Sequence, residues 1–162
     1  VGRVLREKSP GTKIILTEPE DAALIGSEVK QDRHNDNTPA SSHSSWSPHL
    51  IQGWTPDFIP FVLQEAIDNN YFDELLPVSG DQGIVWAKRL ARAEGIITGI
   101  SGGSTFAIAM EVAKKAPPDC NILCMLPDTG ERYLSSPLFE DIPEEMTEEE
   151  KEISTSTPNY QL

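Results

Sequence analysis

DQGIVWAKRLARAEGIITGISGGST, from Asp81 to Thr105, reads as helix, strand and helix in succession. Ser79-Gly80-Asp81 opens the first helix, Gln82 to Glu94. Ile84, Ala87, Leu90 and Ala91 give it one apolar face. Gly95 follows the last periodic residue, where a left-handed residue ends a helix most easily. Ile96 to Ile100 is short, apolar and rich in β-branched side chains, the pattern of a buried strand. Ser101-Gly102-Gly103-Ser104 then turns sharply into a second helix that ends near Lys114. Alternation with short connections predicts an α/β layer with a largely parallel sheet.

Upstream, Val1 to Lys8 carries Val1, Val4 and Leu5 at helical spacing, and Ser9-Pro10-Gly11 stops it. Lys13 to Thr17 reads as a strand that ends at Glu18-Pro19. A helix runs from Phe58 or Ile59 to Ala66, with Asp57 as its cap and Pro60 in its first turn. Leu75 to Val78 is a second strand and Asn121 to Leu126 a fourth. After Phe139 the chain turns acidic, and Thr147 with Glu150 three residues on predicts a capped helix start. Ser154 to Leu162 reads as a tail. The chain thus divides into a body, residues 1–139, and an acidic segment with tail, residues 140–162. Gly26 to Pro48 is a polar insertion in the body, read as a long surface loop.

The formal charge is −13, much of it between Glu140 and Glu152. Nucleic acid and anionic membranes want a basic patch, so neither is expected as a partner. No apolar run approaches the roughly 20 residues that cross a bilayer. Cys120 and Cys124 sit in an apolar stretch and read as buried free thiols of a reducing cytoplasm. His34, His43 and His49 are irregularly spaced without a carboxylate pattern, which favours solvated loop histidines over a metal site. The chain opens without an initiator methionine, in what reads as the inside of a helix, so any targeting signal is expected upstream.

In parallel sheets ligands sit beyond the C-terminal ends of the strands. Two loops follow predicted strands there, Gly99 to Ser104 and Pro127 to Gly130. The first has glycines that let backbone approach a ligand and free amides that favour an anion or polar ring. Ser101 in it serves either as a helix cap or as a ligand contact. His49-Leu50-Ile51-Gln52-Gly53-Trp54 offers a tight turn beside an aromatic wall. Just after the second loop, in the polar stretch Pro127 to Tyr133, Glu131 and Arg132 read equally well as a structural ion pair or as catalytic groups. No G-x-S-x-G elbow, dinucleotide fingerprint or phosphate loop is present.

Taken together, HLIQGW, DQGIVWAKRLARAEGIITGISGGST and LPDTGERYLSSPLF resemble, in that order, the C-terminal half of cysteine synthase (O-acetylserine sulfhydrylase). This is the β-replacement branch of the fold type II pyridoxal-phosphate enzymes. VGRVLREKSPGTKII resembles the segment after that family's phosphate cup. The resemblance covers Val1 to about Phe139 outside the insertion, and it implies the larger-domain fold of those enzymes. It implies pyridoxal 5'-phosphate as cofactor, with Ser101 on the pyridine nitrogen and Gly99 along the cofactor face. Gln52, Gly53 and Trp54 would border the substrate cleft. A neutral hydroxyl on the ring nitrogen makes a weaker electron sink than a carboxylate partner would, which suits β-elimination more than transamination.

The Schiff-base lysine, the substrate-carboxylate loop and the phosphate cup all belong to the family's N-terminal half, and Lys88, Lys114 and Lys115 read as solvated helix residues. The resemblance therefore implies one half of a split, cleaved or truncated cytoplasmic transferase making cysteine from O-acetylserine and sulfide. Its partners would be the N-terminal half, a second copy in a homodimer, and serine acetyltransferase. The rival expectations are a cystathionine or cyanoalanine synthase of the same fold, and a non-catalytic fragment that binds a partner chain.

Overall fold

In a computed structural model the described residues are 1–156, so the last six residues of the predicted tail lie outside them. Helix α1, Gly2–Lys8, leads to strand β1, Ile15–Pro19. Val1 and Val4 of the predicted apolar stripe are exposed (100% and 51%), so α1 is held at its end instead: Arg6 pairs with Asp73 at 2.9 Å. After a 3-10 turn at Glu20–Ala22 and the polar segment come α2, Phe61–Asp68, and strand β2, Glu74–Val78. β1 and β2 pair in parallel, Ile15 opposite Glu74 through Pro19 opposite Val78. The Asp73 carboxylate extends the join by accepting from the Ile14 amide at 2.7 Å.

Helix α3, Gly80–Glu94, starts with a full capping box. The Ser79 hydroxyl accepts from the Gln82 amide, and the Gln82 side chain accepts from the Ser79 amide. Gly95 closes it at φ 70°, as its position predicts. Helix α4, Ile100–Lys115, packs on α3 through glycine. A Cβ on Gly103 would sit 2.0 Å from the Gly83 carbonyl oxygen, and one on Gly83 would sit 2.2 Å from the Ser104 hydroxyl. Backbone meets backbone there, and no side chain fits between. Ile51, Val78, Ala87, Ile100, Ala107 and Leu138 form the main core, while Ala22, Leu24 and Ile59 form a second cluster with Trp46 packed against it.

Four expectations are corrected. The predicted strands Ile96–Ile100 and Asn121–Leu126 join no ladder among the described residues, and Ile100 is instead the first residue of α4. Thr98 makes an isolated antiparallel bridge to Thr129, in the loop after the second segment. Ile97 and Leu123 are 57% and 97% exposed, because no element covers them. Cys120 is accordingly exposed and Cys124 half-buried, contrary to the buried reading, and burial still raises the Cys124 thiol pKa. Helix α2 is capped at Pro60 and not at Asp57, whose side chain and carbonyl accept from the Ser42 hydroxyl and the His43 amide instead. His43, expected in solvent, is 4% exposed.

Helix α5, Glu148–Thr155, has the predicted Thr147–Glu150 box and takes in the start of the predicted tail. Lys88 bonds Asp141 at 2.5 Å, joining the acidic segment to α3. Among the described residues no helix is long and apolar enough to cross a membrane.

Candidate active site

A cavity of about 660 Å³ opens between β1, which lines it from Ile15 to Glu18, the loop before α2, the first turns of α4 and the segment before Tyr133. Its walls are largely apolar, with a few polar groups converging from separate elements, the usual make-up of a small-molecule site.

The first turn of α4 supplies Ser101, 3% exposed, and the next turn Thr105. Ser101 is not the helix cap: Gly99 holds that position, with no side-chain cap bond. The capping alternative for Ser101 is thereby removed, and the residue lines the cavity. Gly99 itself does not line the cavity. A Cβ there would sit 2.2 Å from the Tyr133 ring and 2.6 Å from Asp128 Oδ1, so glycine lets these two groups close in and form the wall.

Asp128 and Tyr133 were not singled out from the sequence, which suggested a Glu131–Arg132 ion pair in this loop. No such pair forms among the described residues. Glu131 is held below the usual carboxylate range first by the Thr129 hydroxyl, with Arg132 a minor influence. The tight turn Gly130–Tyr133 instead swings the phenol back, so that it donates to Asp128 Oδ2 at 2.6 Å. Burial, then the bond to Asp128, pushes the phenol pKa up, while contact with the Ser101 hydroxyl works in the opposite direction. Tyr133 thus stays a proton donor. The available signal was Gly130, whose Cβ would meet Ile97 Cγ2 at 2.4 Å and which therefore marks a close approach.

Gln52, Gly53 and Trp54 all line the cavity. Gly53 takes φ 85°, so the turn needs glycine. Trp54 is half-buried against the main core and presents an aromatic wall. Glu18, 4% exposed, also borders the cavity, yet both its oxygens are occupied. Oε2 accepts from the Ile25 amide at 3.0 Å and Oε1 from the Gly26 amide at 2.8 Å, so the residue fastens a loop.

Two buried cavity atoms have no partner, Asp128 Oδ1 and Thr17 Oγ1. Unpaired buried polar atoms are costly, and a bound polar molecule can satisfy them. Among the described residues no Lys, Arg or His lines the cavity. The wall suits a flat ring with polar edges and lacks the cations and the amine that a phosphorylated aldehyde also requires.

The sequence matches the family described as pyridoxal-phosphate dependent enzyme over residues 1–128. This chain belongs to that family. It is 38% identical over 144 residues to O-ureido-L-serine synthase of Streptomyces lavendulae, covering 89% of this chain and 38% of that one. To cysteine synthase of Staphylococcus aureus it is 32% identical over 139 residues, covering 86% and 38%. A crystal structure of O-ureido-L-serine synthase superposes with TM-score 0.73 at 36% identity, over 95% of this chain and 42% of that one. The chain thus spans about 38% of the length of the curated relatives it matches. The fold is that of the pyridoxal-phosphate dependent enzymes. Family membership is common to both named relatives, whereas the product in their names differs.

Proposed function

We propose that this chain supplies the ring-binding wall and the substrate-cleft loop of a pyridoxal-phosphate-dependent β-replacement enzyme making L-cysteine from O-acetylserine and sulfide. The carrying observation is that Ser101, from α4, and Gln52, Gly53 and Trp54, from the loop before α2, line one cavity. Bound pyridoxal phosphate supplies an electron sink that eases loss of the α-proton and of the β-substituent. This chain contributes orientation. The Ser101 hydroxyl faces the ring nitrogen, Gly99 lets Tyr133 and Asp128 close the wall, and Trp54 screens the cleft from water. The cationic lysine and the phosphate cup come from an N-terminal half. Support for that partner is the uncovered edge, where Ile122, Leu123 and Met125 are 40%, 97% and 68% exposed.

A second reading shares this site and changes the nucleophile. The relative of higher identity is named for O-ureido-L-serine, a product that requires a hydroxyurea oxygen at the β-carbon where cysteine carries sulfur. The test joins this chain to a lysine-bearing N-terminal half and offers O-acetylserine with sulfide or with hydroxyurea, identifying products by mass spectrometry. Cysteine as the preferred product supports the first reading, and O-ureido-L-serine the second. An assembled protein that takes up no pyridoxal phosphate overturns both. Within it, Ser101→Ala removes one neutral hydrogen bond and should weaken cofactor binding by about 1 kcal/mol. Thr129→Val is the comparison: a loss there, with none at Ser101, assigns the ring contact to the Pro127–Gly130 loop.

A further inference from the structure

The polar segment 26–48 lies outside the cavity wall, yet it grips the chain around the cleft loop. Gln31, 9% exposed, accepts from the Ile59 amide at 3.1 Å and donates to the Ser41 carbonyl at 2.8 Å. Arg33 donates to the Ile59 carbonyl. The His43 amide donates to the Asp57 carbonyl at 2.6 Å. The His43 ring accepts from the Ser45 amide on Nδ1 at 3.2 Å, so Nε2 donates to the Val29 carbonyl at 3.0 Å.

The grip converges on Thr55, the residue after Trp54. Its carbonyl accepts from Trp46 Nε1 at 3.1 Å and from His49 Nε2 at 3.1 Å. Thr55 holds φ 34°, in the left-handed region that a β-branched residue avoids. Such a conformation persists when its surroundings over-determine it. Two ring N–H groups on one carbonyl are such a constraint. Trp46 is anchored by packing on the Ala22, Leu24 and Ile59 cluster, and the His49 ring, whose buried Nδ1 has no partner, bonds through Nε2 to Thr55.

We infer that Trp46 and His49 are positioning residues for the cleft loop Gln52–Thr55. The polar segment, together with His49 just after it, is then a clasp that sets the shape of the substrate cleft through the Thr55 carbonyl. The inference rests on the reading of Gln52, Gly53 and Trp54 as the substrate border. Neither residue touches the reacting atoms. Their effect is expected in substrate binding, with the chemical step and the cofactor left alone.

Two measurements separate this inference from the reading beneath it. The first is amide exchange by mass spectrometry on the full chain, comparing wild type, Trp46→Phe, His49→Phe and the double variant. Phenylalanine keeps an aromatic ring at each site and removes the N–H. The double variant should exchange about tenfold faster over Gln52–Thr55, with α3 and α4 unchanged. His49→Gln, which keeps a side-chain N–H, should restore most of the protection. The second is the KM for O-acetylserine in the assembled enzyme, expected to rise about fivefold or more with kcat and the cofactor absorption little changed. Unchanged exchange overturns the inference and leaves the cleft reading standing. Faster exchange spread equally through α3 and α4 overturns it as well, since the two residues would then be merely structural. Loosened exchange with an unchanged KM overturns the cleft reading, and the positioning role with it.

Discussion

The polar segment from Gly26 to Pro48 and the apolar stretch from Cys120 to Leu126 stand in opposite relation to solvent. The first is rich in Ser, Asn, Asp and His, yet it buries Gln31 and His43 and makes hydrogen bonds to Thr55, Asp57 and Ile59. The second has the composition of a core strand, yet Leu123 is 97% exposed. Composition reports what a segment would gain by burial. It does not report whether a partner is there to bury it. A polar side chain can be buried wherever its donors and acceptors are matched, whereas an apolar segment needs a neighbouring strand or layer that the described residues do not supply.

The sharpest way to break that contrast is to mutate the polar member of the pair. Gln31→Leu leaves the Ile59 amide and the Ser41 carbonyl without their partner, and buried unpaired groups are costly. The expected loss is about 2 kcal/mol, read from the denaturant midpoint. A change of a few tenths would mean that the segment is only draped on the body. Leu123→Ser is the reciprocal experiment at the apolar member. On the chain alone its stability should shift by less than about 0.5 kcal/mol, since an exposed side chain has little packing to lose. Its cost should emerge on titration with the N-terminal half, where binding weakens if that half covers the edge.

The smallest effect belongs to Asp73, a polar group bonded like Gln31 but in solvent. The Ile14 amide first, and then Arg6, hold its carboxyl below the usual aspartate range. A lowered folded pKa contributes stability that is complete above the ordinary aspartate pKa. That contribution is lost as pH falls through the folded value. Denaturant melts on the acid side of the ordinary range should show this slope, and Asp73→Asn should flatten it. Solvent screening keeps the effect below that of Gln31→Leu. An Asp73→Asn variant with the wild-type acid slope would show that the Arg6–Asp73–Ile14 join carries no measurable stability.

Local chemistry was legible in advance. Gly95, and Thr147 with Glu150, mark their helix ends through contacts within one turn and formed as read, while α3 begins at Gly80, two residues before the expected Gln82. The Gln52–Trp54 turn was legible for the same reason, and it lines one cavity together with Ser101 from the first turn of α4. The Asp128–Tyr133 bond was less so, because it depends on a 3-10 turn reversing the chain between two residues with no shared motif.

By itself the sequence determined the Gly95 stop of α3, the Thr147–Glu150 start of α5, the α/β class and the family motifs. All of these rest on propensity, capping and φ/ψ limits acting within a few residues. Only the tertiary structure decided which extended segments became strands, that Gly99 supports the wall while Ser101 faces the cavity, and that Thr55 is held from Trp46 and His49. The reason is physical: a ladder, a buried polar atom or a strained φ is stable only when groups distant in sequence arrive to pair with it. Their arrival depends on how the α3–α4 layer and the β1–β2 pair pack, and no single segment encodes it.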